Sequence, residues 1–407
     1  MRVRLCLLIF LLVLMIFMDV VNSQIKKQII IPEDYKIGAL PYSPGVLAGD
    51  ILYISGQTSK SPVSGQHPKL FPDQVRQALE NVKSVLTPAK MEFKNIVSVN
   101  VYLDDLNNFD EMNKVYQEYF STIPTVRTTL EVARLPGDSH IEITCIAVAD
   151  ESAKKPVFIG NKRQEKFLFC PGIFVDNILY LSGQGSRNPE TKQQSSTFEE
   201  QIKQSLENVG VILKSAGLSF NDITWCNLYL DDMSNYQKLN DVYRKYFSGL
   251  GTPARGVIFV NKIPGDSHIE ISSVASTNLL GKRVVRPFNI EPDCDLCKGI
   301  MIGDMLYLSP RSGCIPGQGI VTNDFELQLR QVMRNLLDVL QCAGMDFSNV
   351  VSSTVYLKDL NDYDKLNKIY GQFFNKEFPS RTCIQPYSNQ KETDILVQIS
   401  MIAVRFK

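Results

Sequence analysis

Leu-Tyr-Ile-Ser at residues 52–55 returns as Leu-Tyr-Leu-Ser at 179–182 and again at 306–309. A second motif is Leu-Glu-Asn-Val at 79–82 and 206–209, and Met-Arg-Asn-Leu at 333–336. An Asn-x-Val/Ile-Tyr stretch begins at Asn113, Asn240 and Asn367, and all three motifs recur at intervals of 127 residues. Because solenoid units have only ~20–50 residues, a repeat this long is a whole domain. The copies can therefore be compared position by position.

The 407-residue chain is predicted to contain three domains, which we place at residues 24–151, 152–278 and 279–407. Its composition, 44% hydrophobic and 21% charged, is typical of a soluble globular protein. Basic and acidic residues both number 43, so the net charge is zero. Nucleic acid is therefore not expected as a main partner, because phosphate binding usually needs a basic field.

Residues 1–23 have the layout of a secretory signal peptide. Arg2 and Arg4 precede an uncharged apolar run from Leu5 to Met18, and small residues follow before Gln24. The run is shorter than the ~20 residues that cross a membrane, which favours a cleaved signal and a secretory or secreted protein without a stable span. An uncleaved signal-anchor is the alternative.

The cysteines do not form a pattern shared by the copies. Of the 9 cysteines, Cys6 lies in the signal-like segment and most of the others fall in the third repeat. Cys294 and Cys297 have metal or redox spacing. Because no second such pair is near, a local disulfide or two plain thiols is favoured over zinc, and the sequence does not decide between these two.

Within one repeat, the order of elements is predicted as β-β-α-β-α-β-β. Two short strands surround a Gly-Asp turn at residues 46–55, and Val75, Leu79, Val82 and Leu86 recur at helical spacing. The remaining elements are a strand at 97–103, a helix with Met112, Val115, Tyr116 and Tyr119 on its apolar face, and strands at 128–132 and 141–148. Helices on one face of a mixed sheet make a two-layer α+β domain.

The second face of each sheet also needs a cover. In the strand at 141–148, both alternating sets of side chains are largely apolar, which predicts burial on both faces. Three such domains in one chain can close on each other with sheets inward and helices outside, so we predict a monomer with an intramolecular pseudo-trimer. The linkers, at residues 150–155 and 278–286, are short and polar without the Gly/Ser enrichment of free tethers.

Each repeat has an arginine just before a predicted strand, in Pro124-Thr-Val-Arg127, Pro253-Ala-Arg255 and Pro379-Ser-Arg381. In the first two repeats a glutamate follows 15 residues later, namely Glu142 and Glu270. An arginine fork can bind a substrate carboxylate with two hydrogen bonds, and a glutamate can act as acid and base on a water. A structural Arg–Glu pair at a domain edge is the alternative that spacing alone leaves open.

His140 and His268 stand next to these glutamates in Asp-Ser-His-Ile-Glu. Strand alternation points a histidine and its neighbouring glutamate to opposite faces. A surface or hydrogen-bonding role is therefore favoured over a metal role, and no metal site is predicted.

Several separated motifs resemble the Rid family, the reactive intermediate deaminases also called YjgF or L-PSP. They are Ile37-Gly-Ala-Leu-Pro-Tyr42-Ser, Tyr53-Ile-Ser55-Gly-Gln57, Pro124-Thr-Val-Arg127, Glu131-Val-Ala-Arg-Leu-Pro136 and Ile141-Glu142-Ile143. The resemblance covers nearly all of repeat one and most of repeat two, and repeat three matches more loosely. It implies a trimeric arrangement with sites in clefts between neighbours. It also implies hydrolysis of 2-imino acids such as 2-iminobutanoate and 2-iminopropanoate to 2-keto acids and ammonia, without a cofactor.

The resemblance carries over to site positions residue by residue. Repeat one has the full set, Tyr42, Ser55, Asn113, Arg127 and Glu142, with Thr129 where the family often has cysteine. Repeat two keeps Ser182, Asn240, Arg255 and Glu270, but has Phe169 for the tyrosine and Val257 for the cysteine. Repeat three keeps Ser309, Asn367, Arg381 and Cys383, but has Leu296 for the tyrosine, Gln398 for the glutamate and Pro310-Arg311 for Gly-Gln.

Glutamine can form hydrogen bonds but cannot shuttle a proton, so any cleft that relies on Gln398 is expected to bind without turnover. Arg381, without an acid in its own repeat, could still hold a carboxylate. Our expectation is that one or two clefts remain active, with Arg127 and Glu142 as the leading pair. Two alternatives are a non-catalytic secreted protein that binds small carboxylates or partners, and an endoribonuclease of the L-PSP type. Because the imino substrates arise inside cells, an intracellular location is a further alternative to secretion.

Overall fold

The structure is a computed structural model and describes residues 25–33, 35, 40–122, 124–160, 168–247, 252–278, 281–287, 299–388 and 393–406. The predicted signal segment and the Cys294/Cys297 pair lie outside these residues. Six other cysteines, Cys145, Cys170, Cys226, Cys314, Cys342 and Cys383, are free thiols. Among the described helices, none is long and apolar enough to cross a membrane.

In the described residues, each repeat contains six strands and two α-helices in the same order. Repeat one has β1 (Lys27–Ile30), β2 (Gly45–Ala48), β3 (Ile51–Thr58), α1 (Phe71–Leu86), β4 (Ile96–Leu103), α2 (Phe109–Phe120), β5 (Val126–Glu131) and β6 (Ile141–Val148). Repeat two has β7 (Lys154–Val157), β8 (Gly172–Val175), β9 (Ile178–Gly185), α3 (Phe198–Ser215), β10 (Ile223–Leu230), α4 (Tyr236–Tyr246), β11 (Ala254–Phe259) and β12 (Ile269–Ser276). Repeat three has β13 (Lys282–Val285), β14 (Gly299–Ile302), β15 (Met305–Ser312), α5 (Phe325–Cys342), β16 (Val350–Leu357), α6 (Tyr363–Tyr370), β17 (Ser380–Ile384) and β18 (Val397–Val404).

The three sheets share one topology. In repeat one the strand order is β1-β2-β3-β6-β4-β5, and the other sheets repeat it. β4 and β5 are parallel, whereas the other neighbours are antiparallel. This mixed sheet with two helices confirms the predicted α+β class.

The prediction missed the first strand of each repeat. β7 and β13 begin inside the segments predicted as the linkers at 150–155 and 278–286, so these connections are partly strand. Both strands are short, begin with lysine and lie at a sheet edge, where one side of the backbone has no partner strand. Such a segment resembles a polar linker in sequence.

The two faces of the first sheet are covered by different parts of the chain. Val75, Leu79 and Val82 of α1 are completely buried in the core of their own repeat, as their spacing predicts. Side chains on the opposite face join clusters drawn from all three repeats. One such cluster includes Val126 of repeat one, Tyr180 of repeat two and Tyr307 of repeat three.

Contacts between the repeats run in a cycle. β5 contacts β9 of repeat two, β11 contacts β15 of repeat three, and β17 contacts β3 of repeat one. The cycle and the shared clusters support the predicted pseudo-trimer, which remains a proposal. The monomeric state of the chain and the boundaries of the repeats also remain predictions. These three strand contacts also determine where the candidate site residues meet.

Candidate active clefts between repeats

Each predicted arginine lies near the start of β5, β11 or β17, and its backbone N–H donates a hydrogen bond to a serine of another repeat. The donor–acceptor distances are 3.0 Å from Arg127 to Ser182 Oγ, 3.0 Å from Arg255 to Ser309 Oγ, and 2.8 Å from Arg381 to Ser55 Oγ. The predicted serines therefore connect neighbouring repeats. We name the three clefts after their arginines.

The Arg381 cleft joins repeats three and one. Arg381 is only 3% exposed, and its Nη2 donates to Asn367 Oδ1 at 2.6 Å and to Tyr363 Oη at 3.2 Å. The ring of Tyr42, from repeat one, lies 4.7 Å from the guanidinium carbon. Among the described residues, the buried Nη1 atom has no hydrogen-bond partner. It is therefore available for an anionic ligand.

Glu142 of repeat one provides the carboxyl group of this cleft. It is 2% exposed, and its Oε2 atom has no hydrogen-bond partner in the part of the chain that the structure describes. Burial raises the pKa of Glu142 to about 8, although the backbone amide of Cys383 and the guanidinium of Arg381 act in the opposite direction. This shift favours the protonated form of Glu142 at neutral pH, although the carboxyl faces an arginine.

The Arg127 cleft joins repeats one and two in the same way. The guanidinium carbon of Arg127 lies 4.7 Å from the ring of Phe169 and 4.9 Å from that of Tyr116. Arg127 Nη1 and Asn113 Oδ1 are both buried, and neither has a hydrogen-bond partner among the residues described. Burial raises the pKa of Glu270 to about 8, and Arg127 partly opposes this shift. This cleft thus has the same arginine and protonated carboxyl, with phenylalanine in place of tyrosine.

The Arg255 cleft joins repeats two and three and lacks the carboxyl group. Arg255 Nη2 donates to Asn240 Oδ1 at 2.6 Å, as in the Arg381 cleft. The cavity above it has a volume of about 440 Å³ and is lined on the repeat-three side by Pro310 and Gln398. None of the described residues that line this cavity is acidic.

The structure corrects the predicted pairing of residues. Arg127 does not meet Glu142, because the two are positioned in different clefts: Arg127 faces Glu270, and Glu142 faces Arg381. Arg381 therefore has an acid after all, supplied by repeat one. Arg255 is the arginine whose cavity has no acidic residue among its described lining. Leu296, the predicted replacement for tyrosine in repeat three, lies outside the described residues.

A glycine makes room for each glutamate, and comparison of the repeats could have revealed it. A Cβ atom at Gly56 would overlap the Glu142 carboxyl, and one at Gly183 would overlap that of Glu270. In repeat three the corresponding residue is Pro310, and the same repeat has Gln398 in place of the glutamate. The two substitutions are therefore sterically linked, because a proline leaves no space for a carboxyl group in that position.

We expect Gly56→Ala to destabilise the chain by about 1–3 kcal/mol, the usual cost of overpacking a core. The cost arises from displacing the Glu142 carboxyl, so it should shrink when Glu142→Ala is present as well. Urea unfolding of the two single variants and the double variant gives the coupling, for which ~0.5–3 kcal/mol is typical of residues in contact. An equal cost of Gly56→Ala in both backgrounds would contradict the packing described here.

The two histidines beside the glutamates have surface hydrogen-bonding roles, as predicted. His140 Nδ1 lies 2.6 Å from Asp104 Oδ2, and His268 Nδ1 lies 2.7 Å from Asp231 Oδ2. Both imidazoles are more than half exposed. They do not enter the clefts.

Comparison with known proteins identifies the family. The family described as Endoribonuclease L-PSP matches residues 36–149, 166–277 and 289–405, and the chain belongs to it as a tandem, three-domain member. RutC family protein PH0854 of Pyrococcus horikoshii is 42% identical over 122 residues, which is 30% of this chain and 97% of that protein. The 2-iminobutanoate/2-iminopropanoate deaminase of Bos taurus is 40% identical over 109 residues, 26% of this chain and 80% of that protein. Among solved structures, the chain is similar to Escherichia coli TdcF with bound serine, at 35% sequence identity and a TM-score of 0.29. The match covers 30% of this chain and 99% of the TdcF chain.

Proposed function

We propose that this protein hydrolyses reactive 2-imino acids, such as 2-iminobutanoate and 2-iminopropanoate, to 2-keto acids and ammonia in the Arg381 and Arg127 clefts. The observation that carries the proposal is a buried arginine, whose Nη1 has no partner among the described residues, facing a buried carboxyl from another repeat whose pKa is raised by burial. The name of the bovine relative supports the same substrate class. Arg381 with Glu142, Tyr42 and Asn367 forms the more complete of the two clefts.

The charges favour an anionic substrate. The arginine side chain stays protonated, and Nη1 can donate to a carboxylate oxygen in a charge-assisted hydrogen bond. An ionised Glu142 would repel that carboxylate and compete for Arg381. Because the raised pKa keeps Glu142 neutral at pH 7, the substrate carboxylate meets the arginine without this competition.

The neutral carboxyl can then serve as a proton shuttle. Glu142 donates its proton to the imine nitrogen, and the carboxylate formed takes a proton from water as the water oxygen bonds to the carbon. The restored acid next protonates the amine of the carbinolamine. Ammonia leaves as the C–N bond breaks, and the hydroxyl proton returns to Glu142 as the C=O bond forms. Imine and water thus yield keto acid and ammonia without any redox step.

The test is release of 2-ketobutanoate by purified residues 24–407 from 2-iminobutanoate, generated in place from 2-aminobutanoate by an amino-acid oxidase. Spontaneous hydrolysis is subtracted at each pH. We expect kcat/KM to fall as the pH rises through about 8, because ionisation of Glu142 and Glu270 removes the donated proton. No turnover above the spontaneous rate would refute the function, and an undiminished kcat/KM above pH 9 would refute the shuttle.

The non-catalytic alternative is supported by one cleft only, that of Arg255, where glutamine replaces the acid. The ribonuclease activity in the family's description is not proposed for this chain, because its equal numbers of basic and acidic residues provide no basic field for RNA. We also propose that residues 1–23 direct the protein to secretion. A further proposal is that the chain is a monomer without nucleic-acid partners.

A further inference from the structure

The Arg255 cleft keeps its arginine in a defined position although it has lost its acid. Arg255 is 3% exposed, its backbone N–H donates to Ser309 Oγ at 3.0 Å, and its Nη2 donates to Asn240 Oδ1 at 2.6 Å. Its buried Nε has no hydrogen-bond partner within the described parts of the chain. A buried cation with an unused donor beside a cavity of about 440 Å³ indicates a site for an anion.

One wall of this cleft has changed from polar to aromatic. In repeats one and three, the residue four positions after the arginine is Glu131 or Gln385, whose side chain accepts the backbone N–H of Leu106 at 2.8 Å or of Leu360 at 2.9 Å. In repeat two this residue is Phe259. The phenylalanine cannot accept that hydrogen bond, and its ring packs near two tyrosine rings instead.

Phe259 is the centre of an aromatic surface. Its ring centroid lies 6.4 Å from that of Tyr236 and 6.4 Å from that of Tyr387, both tilted, within the range of favourable aromatic pairs. Met233 and Val257 complete the apolar lining near Arg255. In the other two repeats the position of Val257 is Thr129 or Cys383, so this change also removes a group able to form hydrogen bonds.

The opposite wall no longer has space for an acid. A Cβ atom at residue 256 would lie 2.8 Å from Pro310 Cγ and closer still to Asn227 Oδ1, so glycine at this position makes room for both side chains. The other repeats have threonine at that position, and glycine where repeat three has Pro310. In this cleft the smaller residue therefore lies at position 256 and the larger one at position 310, the reverse of the other two clefts. Gln398 beside them cannot shuttle a proton.

We propose that the Arg255 cleft is a third, non-catalytic site, which binds a carboxylate that carries an aryl group. The carboxylate pairs with Arg255, and the aryl group packs against Phe259 and Tyr236. A cavity of this size suits a one-ring ligand with a short chain. The inference goes beyond the proposed hydrolysis and does not depend on turnover in the other clefts.

The test is calorimetric binding of 3-phenylpropanoate to residues 24–407 carrying Arg127→Met and Arg381→Met, which disable the other two arginines. We expect one saturable site per chain, at least about tenfold weaker binding of propanoate, and no binding of 3-phenylpropanamide. Val257→Phe, which narrows the cavity beside Arg255 and leaves Arg255 in place, should abolish binding while the chain stays folded.

The same titration on the chain with all arginines intact keeps the proposal testable if the double variant does not fold, since Val257→Phe should then remove one site per chain. Absence of saturable binding would overturn the proposal. So would binding that persists after Val257→Phe, or equal affinities for propanoate and 3-phenylpropanoate. Because the assay measures binding alone, its result stands apart from any failure of imine hydrolysis.

Discussion

A chain with both Glu142→Gln and Glu270→Gln is expected to lose hydrolysis of 2-iminobutanoate by ~10²–10⁴-fold, the usual contribution of general acid–base catalysis. Glutamine has nearly the shape of the protonated acid but cannot release and regain a proton. The fold already accepts glutamine at the corresponding position, Gln398. The loss should therefore appear in kcat, with little change in melting temperature.

The control for this double variant is Glu118→Gln, which changes an exposed carboxylate on α2 that pairs with Arg76. It should keep full activity. Each single glutamine variant should retain the turnover of the other cleft. Wild-type kcat in the double variant would show that neither carboxyl takes part in the reaction.

The second large effect is expected for Arg381→Met in a chain that already carries Glu270→Gln. Because Glu270 belongs to the Arg127 cleft, that cleft is expected to be inactive in this background. The remaining activity then measures the Arg381 cleft. Arg381 offers charge-assisted hydrogen bonds to the substrate carboxylate, each contributing about 1.5–3 kcal/mol. Loss of one such bond corresponds to a fall in kcat/KM of roughly 10- to 100-fold. Arg76→Met, at an exposed arginine on α1, is the control.

The fold could be predicted from the spacing of apolar residues and from the repeat. Val75, Leu79 and Val82 recur at helical intervals and are fully buried on one face of α1. β1, β7 and β13 could not be recognised, because four-residue edge strands that begin with lysine carry too weak a pattern. Burial of the second sheet face by other repeats was predictable from the apolar residues on both faces of β6.

The residues of the site could be predicted, but not their partners. Tyr42, Arg381 and Glu142 could each be recognised at family positions, yet their meeting depends on which repeat packs against which. Position along the chain suggests Arg127 for Glu142, since both lie in repeat one. The replacements at Pro310 and Gln398 occur together in the sequence and indicate that one cleft has changed as a unit.

We propose that the most complete site combines Arg381 of repeat three with Glu142 of repeat one. The most direct measurement compares kcat/KM for 2-iminobutanoate in two chains that both carry Glu270→Gln, one with Arg381→Met and one with Arg127→Met. We expect Arg381→Met to abolish most of the remaining activity and Arg127→Met to preserve it. The opposite result, with activity lost through Arg127→Met and kept in Arg381→Met, would show that Glu142 works with the arginine of its own repeat.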